Sequence, residues 1–220
     1  MPGGYDVRRD GAPAYAARVN PESVFPRATG SADASVRPAF PDDAAEIARL
    51  QVVTWRTAYG DALPAAVLDE WDADAATTSW RTAIIAPPTP GHGVVVALER
   101  NDVVGFAAFG PAELTAGEQP DSAGPTAELV ALLVEPRWGR RGHGSRLLAA
   151  VSDLVRSGGA ARLQVWLLES DRVSAGFYES AGWAPDGWAR TLDTGGEPLR
   201  EIRWHALLDD PDAAPQEGAQ

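Results

Sequence analysis

Residues 129–155 constrain the fold most tightly. Leu129-Val130-Ala131-Leu132-Leu133-Val134 is an apolar run of strand length, and Pro136 ends it. A turn rich in glycine and arginine follows: Arg137-Trp138-Gly139-Arg140-Arg141-Gly142-His143-Gly144-Ser145. Then Leu147, Leu148, Val151, Leu154 and Val155 recur at the spacing of one helix face. The order predicts a buried strand, a tight turn and an amphipathic helix starting near Gly142 to Ser145. The first N–H groups of such a helix lack intrahelical acceptors and sit at the positive end of its dipole, which suits phosphate. Gly142 and Gly144 let a ligand approach the backbone, and the neighbouring arginines add hydrogen-bonding forks. A tight connection with solvated arginines is the plainer alternative. The spacing Gly139-x-x-Gly142-x-Gly144 is not the Gly-x-Gly-x-x-Gly dinucleotide fingerprint. The chain has no lysine, so it holds no nucleotide-triphosphate loop.

A second block lies downstream. Residues 163–168 read as a strand, followed by Asp171-Arg172-Val173-Ser174-Ala175-Gly176-Phe177-Tyr178 and then Ala181-Gly182-Trp183. Asp171 suits a helix N-cap, and Gly182 suits the helix stop. Upstream, Val36-Arg37-Pro38 precedes a helical pattern from Asp42, and Trp55-Arg56-Thr57-Ala58-Tyr59 lies near that helix's end. In this order the blocks resemble the GCN5-related N-acetyltransferase (GNAT) superfamily over roughly residues 36–207. Val134, Pro136, Gly142 and Gly144 match its acyl-coenzyme-A signature, Gln/Arg-x-x-Gly-x-Gly/Ala after a strand ending in Val-x-Pro. Tyr178 and Gly182 match Asn-x-x-Ala-x-x-x-Tyr-x-x-x-Gly-Phe. The chain departs at Gly139 (Gln or Arg in the family), Asp171 (Asn), Ser174 (Ala) and Trp183 (Phe).

The resemblance implies an α/β chain with the GNAT fold: a mixed central β-sheet flanked by helices, with a V-shaped acyl-CoA cleft. It also implies a β-bulge near the end of the 128–134 strand. Patterning predicts a strand near residues 36–40, a helix over 42–58 and helical structure over 64–85 in two pieces. It predicts a hairpin of strands 93–100 and 103–109 around Asn101-Asp102. After the coenzyme-loop helix come a strand at 161–168, a helix at 173–181 and strands near 184–193 and 197–207. Three segments are expected: a flexible extension over residues 1–34, an acetyltransferase domain over 35–208 and a flexible acidic tail over 209–220.

Charge and composition narrow the classes of function. The formal net charge is -12, which argues against a nucleic-acid partner and suits amine-bearing ones. Cysteine is absent, so disulfides, zinc-thiolate sites and a cysteine nucleophile are excluded. The histidines His92, His143 and His205 show no metal-ligand spacing, and no metal is expected. No run is apolar enough for a membrane span, and no signal pattern opens the chain, so a cytoplasmic location and no membrane partner are the default expectations. Homodimer formation is left open.

The resemblance implies that the chain uses acetyl-CoA as acyl donor and an amine as acceptor. Leu132, Leu133 and Val134 would pair with the pantetheine arm. Arg140, Arg141, Gly142, His143, Gly144 and Ser145 would hold the pyrophosphate, with Asp171 and Tyr178 also against the coenzyme. Tyr178 is the candidate general acid, and its alternative role is a core residue of its helix. Glu128 is the candidate base, and its alternative role is a solvated carboxylate at a strand entry. Period two puts Glu128, Val130, Leu132 and Val134 on one face. A backbone N–H at Leu133 or Val134 is the candidate oxyanion donor. Trp55 and Tyr59 are the candidate acceptor-binding residues, with Arg56 beside them and Asp61 and Glu113 as nearby carboxylates. A catalytically silent acyl-CoA-binding sensor or partner-binding module is the alternative function.

Overall fold

The computed structural model describes residues 34–59, 71–115, 117–119, 121, 124–192 and 198–208. The expected extension up to residue 33, the tail from residue 209, residues 64–70 of the stretch expected to be helical over 64–85, and Asp61 lie outside them. Among the described residues seven strands form one sheet: β1 (Ala34–Pro38), β2 (Gly93–Glu99), β3 (Asp102–Pro111), β4 (Thr126–Val134), β5 (Arg162–Leu168), β6 (Ala184–Leu192) and β7 (Leu199–Leu207). Their order is β1-β2-β3-β4-β5-β7-β6. All neighbours are antiparallel except β4 and β5. The described α-helices are α1 (Ala44–Tyr59), α2 (Ala73–Ile85), α3 (His143–Ser157) and α4 (Arg172–Ser180).

Local chemistry fixes the element ends. Asp43 closes the β1–α1 turn: its carboxylate accepts from both terminal nitrogens of Arg37 at 2.6 and 2.9 Å and from the Phe40 N–H at 2.7 Å. Burial alone would raise this carboxyl's pKa, but the Arg37 and Phe40 hydrogen bonds outweigh it and leave it lowered. Asp72 caps α2, accepting from the N–H groups of Asp74 at 3.0 Å and Ala75 at 2.9 Å. The β2–β3 turn is Arg100-Asn101, because Asp102 already pairs with Glu99. It therefore sits one residue earlier than the expected Asn101-Asp102, with Arg100 taking the left-handed strain at φ 56°.

The sheet separates two apolar layers. On one face Ile47 and Leu50 of α1 pack with Val96 and Phe106, joined by Trp80, Ala131 and Leu133. Trp80 meets Phe106 edge-on at 5.1 Å, and its indole N–H donates to Gln51 at 2.8 Å. On the other face Leu147, Leu148, Val151 and Val155 of α3 cover Val95, Val104, Leu129, Leu163 and Val165, together with Tyr178 and Trp183. The helix face expected from the leucine and valine spacing is thus the buried one.

Candidate active site

β4 carries a bulge. Ala131 pairs with Ala108 and Leu129 with Phe109, so Val130 has no partner on β3 and stands 66% exposed. The bulge lies in mid-strand, not near its end. One extra residue inverts the side-chain alternation. Leu129 therefore shares the α3 face with Leu132 and Val134, while Ala131 and Leu133 pack on the α1 face. This corrects the face expected for Glu128. It does not share a side of the sheet with Leu132 and Val134 but lies on the side of Ala131 and Leu133.

Beyond the bulge the sheet opens. The β4–β5 ladder holds only the pairs Thr126–Arg162, Ala127–Leu163 and Glu128–Gln164. From Leu129 to Val134, β4 is laddered to β3 alone, so its β5-facing edge lines a slot whose apex is Glu128 and Gln164. Leu132, Leu133 and Val134 all lie on that edge.

The loop at the head of α3 closes one side of the slot. Gly142 caps α3 in the left-handed region at φ 81°, which a side chain would strain. The first helical bond runs from the Arg146 N–H to the Gly142 carbonyl at 3.0 Å, which leaves the N–H groups of His143, Gly144 and Ser145 without intrahelical acceptors. A Cβ on Gly144 would lie 3.5 Å from the Phe177 ring and 3.8 Å from Leu132 Cδ2, so α3, α4 and β4 converge here. The arginines are differently engaged. Arg137 pairs with Glu135 at 2.9 Å, Arg141 lies 4.7 Å over the Trp138 ring, and Arg146 donates to the Arg141 carbonyl at 3.0 Å. Arg140 is exposed and has φ 61°. The His143 side chain turns inward. It is 1% exposed, edge-on to Trp138, with Nε2 3.3 Å from Glu99. Desolvation is the main cause of its lowered pKa, opposed by Glu99 and reinforced by Arg146 and Arg141. Of His143, only the backbone faces outward chemistry.

α4 supplies Tyr178. The Gly182 N–H donates to the Glu179 carbonyl and the Trp183 N–H to the Tyr178 carbonyl, both at 3.0 Å, with Gly182 at φ 83°. This is a Schellman stop, and its usual apolar contact is the Trp183 ring against Tyr178 at 5.0 Å. The Tyr178 ring is 4% exposed and also meets Phe177 edge-on at 5.1 Å. At the other end of α4, Asp171 accepts from the Ser174 N–H at 2.9 Å and from its hydroxyl at 2.7 Å. The two departures Asp171 and Ser174 thus form one compensating pair.

Glu128 and Gln164 are joined: Gln164 Nε2 donates to Glu128 Oε2 at 2.8 Å. A cleft of about 330 Å³ lies at the base of β4 and β5, lined by Glu113, Glu118, Asp121, Arg162 and Gln164. It touches the slot's apex only through Gln164. Trp55 packs edge-on against Trp71 at 5.6 Å. Tyr59 ends α1, and its side chain lies outside the described residues. The structure brings Leu132, Gly144 and Phe177 together beside the slot and puts Glu128 at its apex, while Tyr178 packs behind Phe177. Sequence reasoning missed Gln164, whose one signal was an amide inside the apolar run Leu163-Gln164-Val165-Trp166-Leu167.

A family model described as the acetyltransferase (GNAT) family matches residues 46–183. The uncharacterized N-acetyltransferase YuaI of Bacillus subtilis (strain 168) is 28% identical over 170 residues, covering 76% of this chain and 90% of YuaI. The solved yncA protein from Salmonella typhimurium with its cofactor acetyl-CoA superposes at a TM-score of 0.59 with 20% identity, covering 85% of this chain and 100% of that one. The ribosomal-protein-alanine N-acetyltransferase from Brucella melitensis superposes at 0.60 with 19% identity, covering 79% and 99%.

Proposed function

The chain belongs to the acetyltransferase (GNAT) family, and from that premise we propose that it transfers an acetyl group from acetyl-CoA directly to an amine. The observation that carries this reading is the slot itself: a strand edge freed by three-pair splaying, with helix N–H groups at one side and a carboxylate at its apex. The residues fit the donor. The N–H groups of His143, Gly144 and Ser145, with Arg140 and Arg141, hold the pyrophosphate, and the edge from Leu132 to Val134 holds the pantetheine arm as an added strand. Asp171 lies at the head of α4 beside that arm. The bound thioester supplies an acyl carbon open to direct attack.

On this reading donor and acceptor use opposite faces of the sheet. Gly144 and Leu132 lie on the α3 side, whereas Glu128 lies on the other. An amine arriving on the Glu128 side, against Trp55 and Tyr59, meets the thioester through the slot. Glu128 takes the proton that the ammonium or the attacking nitrogen releases. The nitrogen–carbon bond forms and the carbon–sulfur bond breaks. The Glu135 N–H donates to the Val104 carbonyl on β3, so by alternation the Leu133 N–H also faces β3 and the Val134 N–H faces the slot. The Val134 N–H steadies the carbonyl oxygen, and Tyr178 gives its phenolic proton to the departing sulfur.

The test is calorimetric titration with acetyl-CoA, followed by thiol release with spermidine, kanamycin, alanine and a peptide with N-terminal alanine. Saturable binding and amine-dependent thiol release are expected. Thiol release at the amine-free rate with every acceptor overturns the reading. Gly142→Val should weaken acetyl-CoA binding by about 1–3 kcal/mol, because it strains the left-handed cap and tilts the N–H cradle. An unchanged dissociation constant in a folded variant moves the site elsewhere. Tyr178→Phe should slow single-turnover transfer about tenfold to a hundredfold, since thiolate already leaves tolerably and the packed ring is retained. Equal single-turnover rates would leave Tyr178 a packing residue only.

A further inference from the structure

Gln164 stands opposite Glu128 on the last pair that β4 and β5 share. It is 2% exposed in an otherwise apolar stretch of β5. A buried carboxamide costs free energy unless it is hydrogen-bonded, and its Nε2 is committed to Glu128 Oε2 at 2.8 Å. Nothing competes for that carboxylate from β3, where Glu128 is paired with Gly110. Among the described residues Glu128 makes no other hydrogen bond, so Oε1 is left to solvent or substrate. The nearest cation along β5, Arg162, is turned to Asp121 at 3.3 Å and Asp186 at 3.9 Å. On the far side Gln164 is paired in register with His205 of β7.

We propose that Gln164 is a positioning residue: its carboxamide fixes Oε2 of Glu128 and so leaves Oε1 as the atom that takes the amine's proton. The proposal rests on the reading of Glu128 as the base. An amide suits the task because it does not ionise at neutral pH and carries no charge. An arginine or lysine donor would hold the same oxygen but would stabilise the ionised carboxylate and so weaken it as a base. Burial of Gln164 removes rotamer freedom from the pair, so the carboxylate is oriented before an amine arrives.

Gln164→Met keeps length and volume but removes the donor. With the best acceptor from the panel above, kcat should fall on the order of tenfold to a hundredfold, while acetyl-CoA affinity and melting temperature stay near wild type. A merely structural role would not produce the second result: in a Glu128→Gln background, Gln164→Met should cost little further activity, because the group it acts through is already disabled. Gln164→Leu serves the same cycle if the methionine variant does not fold. Wild-type kcat in Gln164→Met, or a full multiplicative loss in the double variant, overturns the positioning role alone. Wild-type turnover in Glu128→Gln overturns the base, and the positioning role with it.

Discussion

Glu128→Gln is expected to lower amine acetylation at neutral pH by about 10²–10⁴-fold while leaving acetyl-CoA affinity near wild type. Alkyl ammonium ions dominate at neutral pH, so attack requires that a proton be removed first. In the structure one carboxylate oxygen is held by Gln164, and among the described residues no cation is bound to it. A glutamine keeps the shape but cannot take that proton. The loss should shrink as pH rises and free amine accumulates, so the ratio of wild-type to variant kcat should fall steadily in alkaline solution. A ratio independent of pH would assign the effect to packing. The proposed coenzyme contacts at Leu132 and Gly144 lie on the α3 side, beyond the bulge from Glu128, which is why binding and turnover should separate.

Arg203→Met is expected to destabilise the fold by about 3–5 kcal/mol in urea denaturation, because it strands two carboxylates around a buried site. Arg203 on β7 is 1% exposed, holds Glu118 at 2.6 and 2.9 Å and Asp186 at 2.7 Å, and lies 5.4 Å from the Trp188 ring centre. Burial would make this guanidinium a weaker base, but the two carboxylates reverse that and raise it. Glu118 also accepts the Thr115 N–H at 2.9 Å, so the connection that feeds β4 is pinned to β7. Its pKa is depressed from 4.5 to about 2, chiefly by the Arg203 hydrogen bonds. The folded carboxyl is thus more acidic than the unfolded one. Its contribution is complete above pH 4.5 and is lost as pH falls toward 2, a change on the order of 2–3 kcal/mol for this partly screened group. Stability measured across that window should slope in the wild type, and Glu118→Gln should remove this group's share. An identical slope in both proteins would show that other carboxyls carry the acid sensitivity.

The features that were legible in the sequence are those written locally. Pro136, the glycines at 142 and 144 and the leucine spacing of α3 lie within about one element of each other, and each acts on its own backbone. Gly182 likewise announces the end of α4 and thereby the setting of Tyr178. The resemblance implied a bulge in this strand, but its place at Val130 was not legible, because a run apolar at every position carries no alternation that would locate an extra residue. Its consequence, the reversal of the face of Glu128, was hidden for the same reason. The pairing of Glu128 with Gln164 joins residues 36 apart, and that of Glu118 with Arg203 joins residues 85 apart. Such pairs depend on strand order, which neighbouring residues do not encode. The inward turn of His143 was also out of reach, since it depends on Glu99 at the end of a distant strand.

β4 and β5 share three residue pairs, whereas β5 and β7 share seven. Mechanically, the sheet is two plates riveted along a short seam, with α3 as the strut that packs against both. The three-pair seam below the slot's apex is the shortest ladder in the sheet, and local opening of a protein favours such thinly joined lines. A coenzyme arm lying in the slot would act as the missing length of rivet: it would complete a sheet as well as occupy a pocket. Affinity for the donor and the rigidity of the whole molecule would then draw on a single interface, and substrate supply would set how tightly the two plates are held.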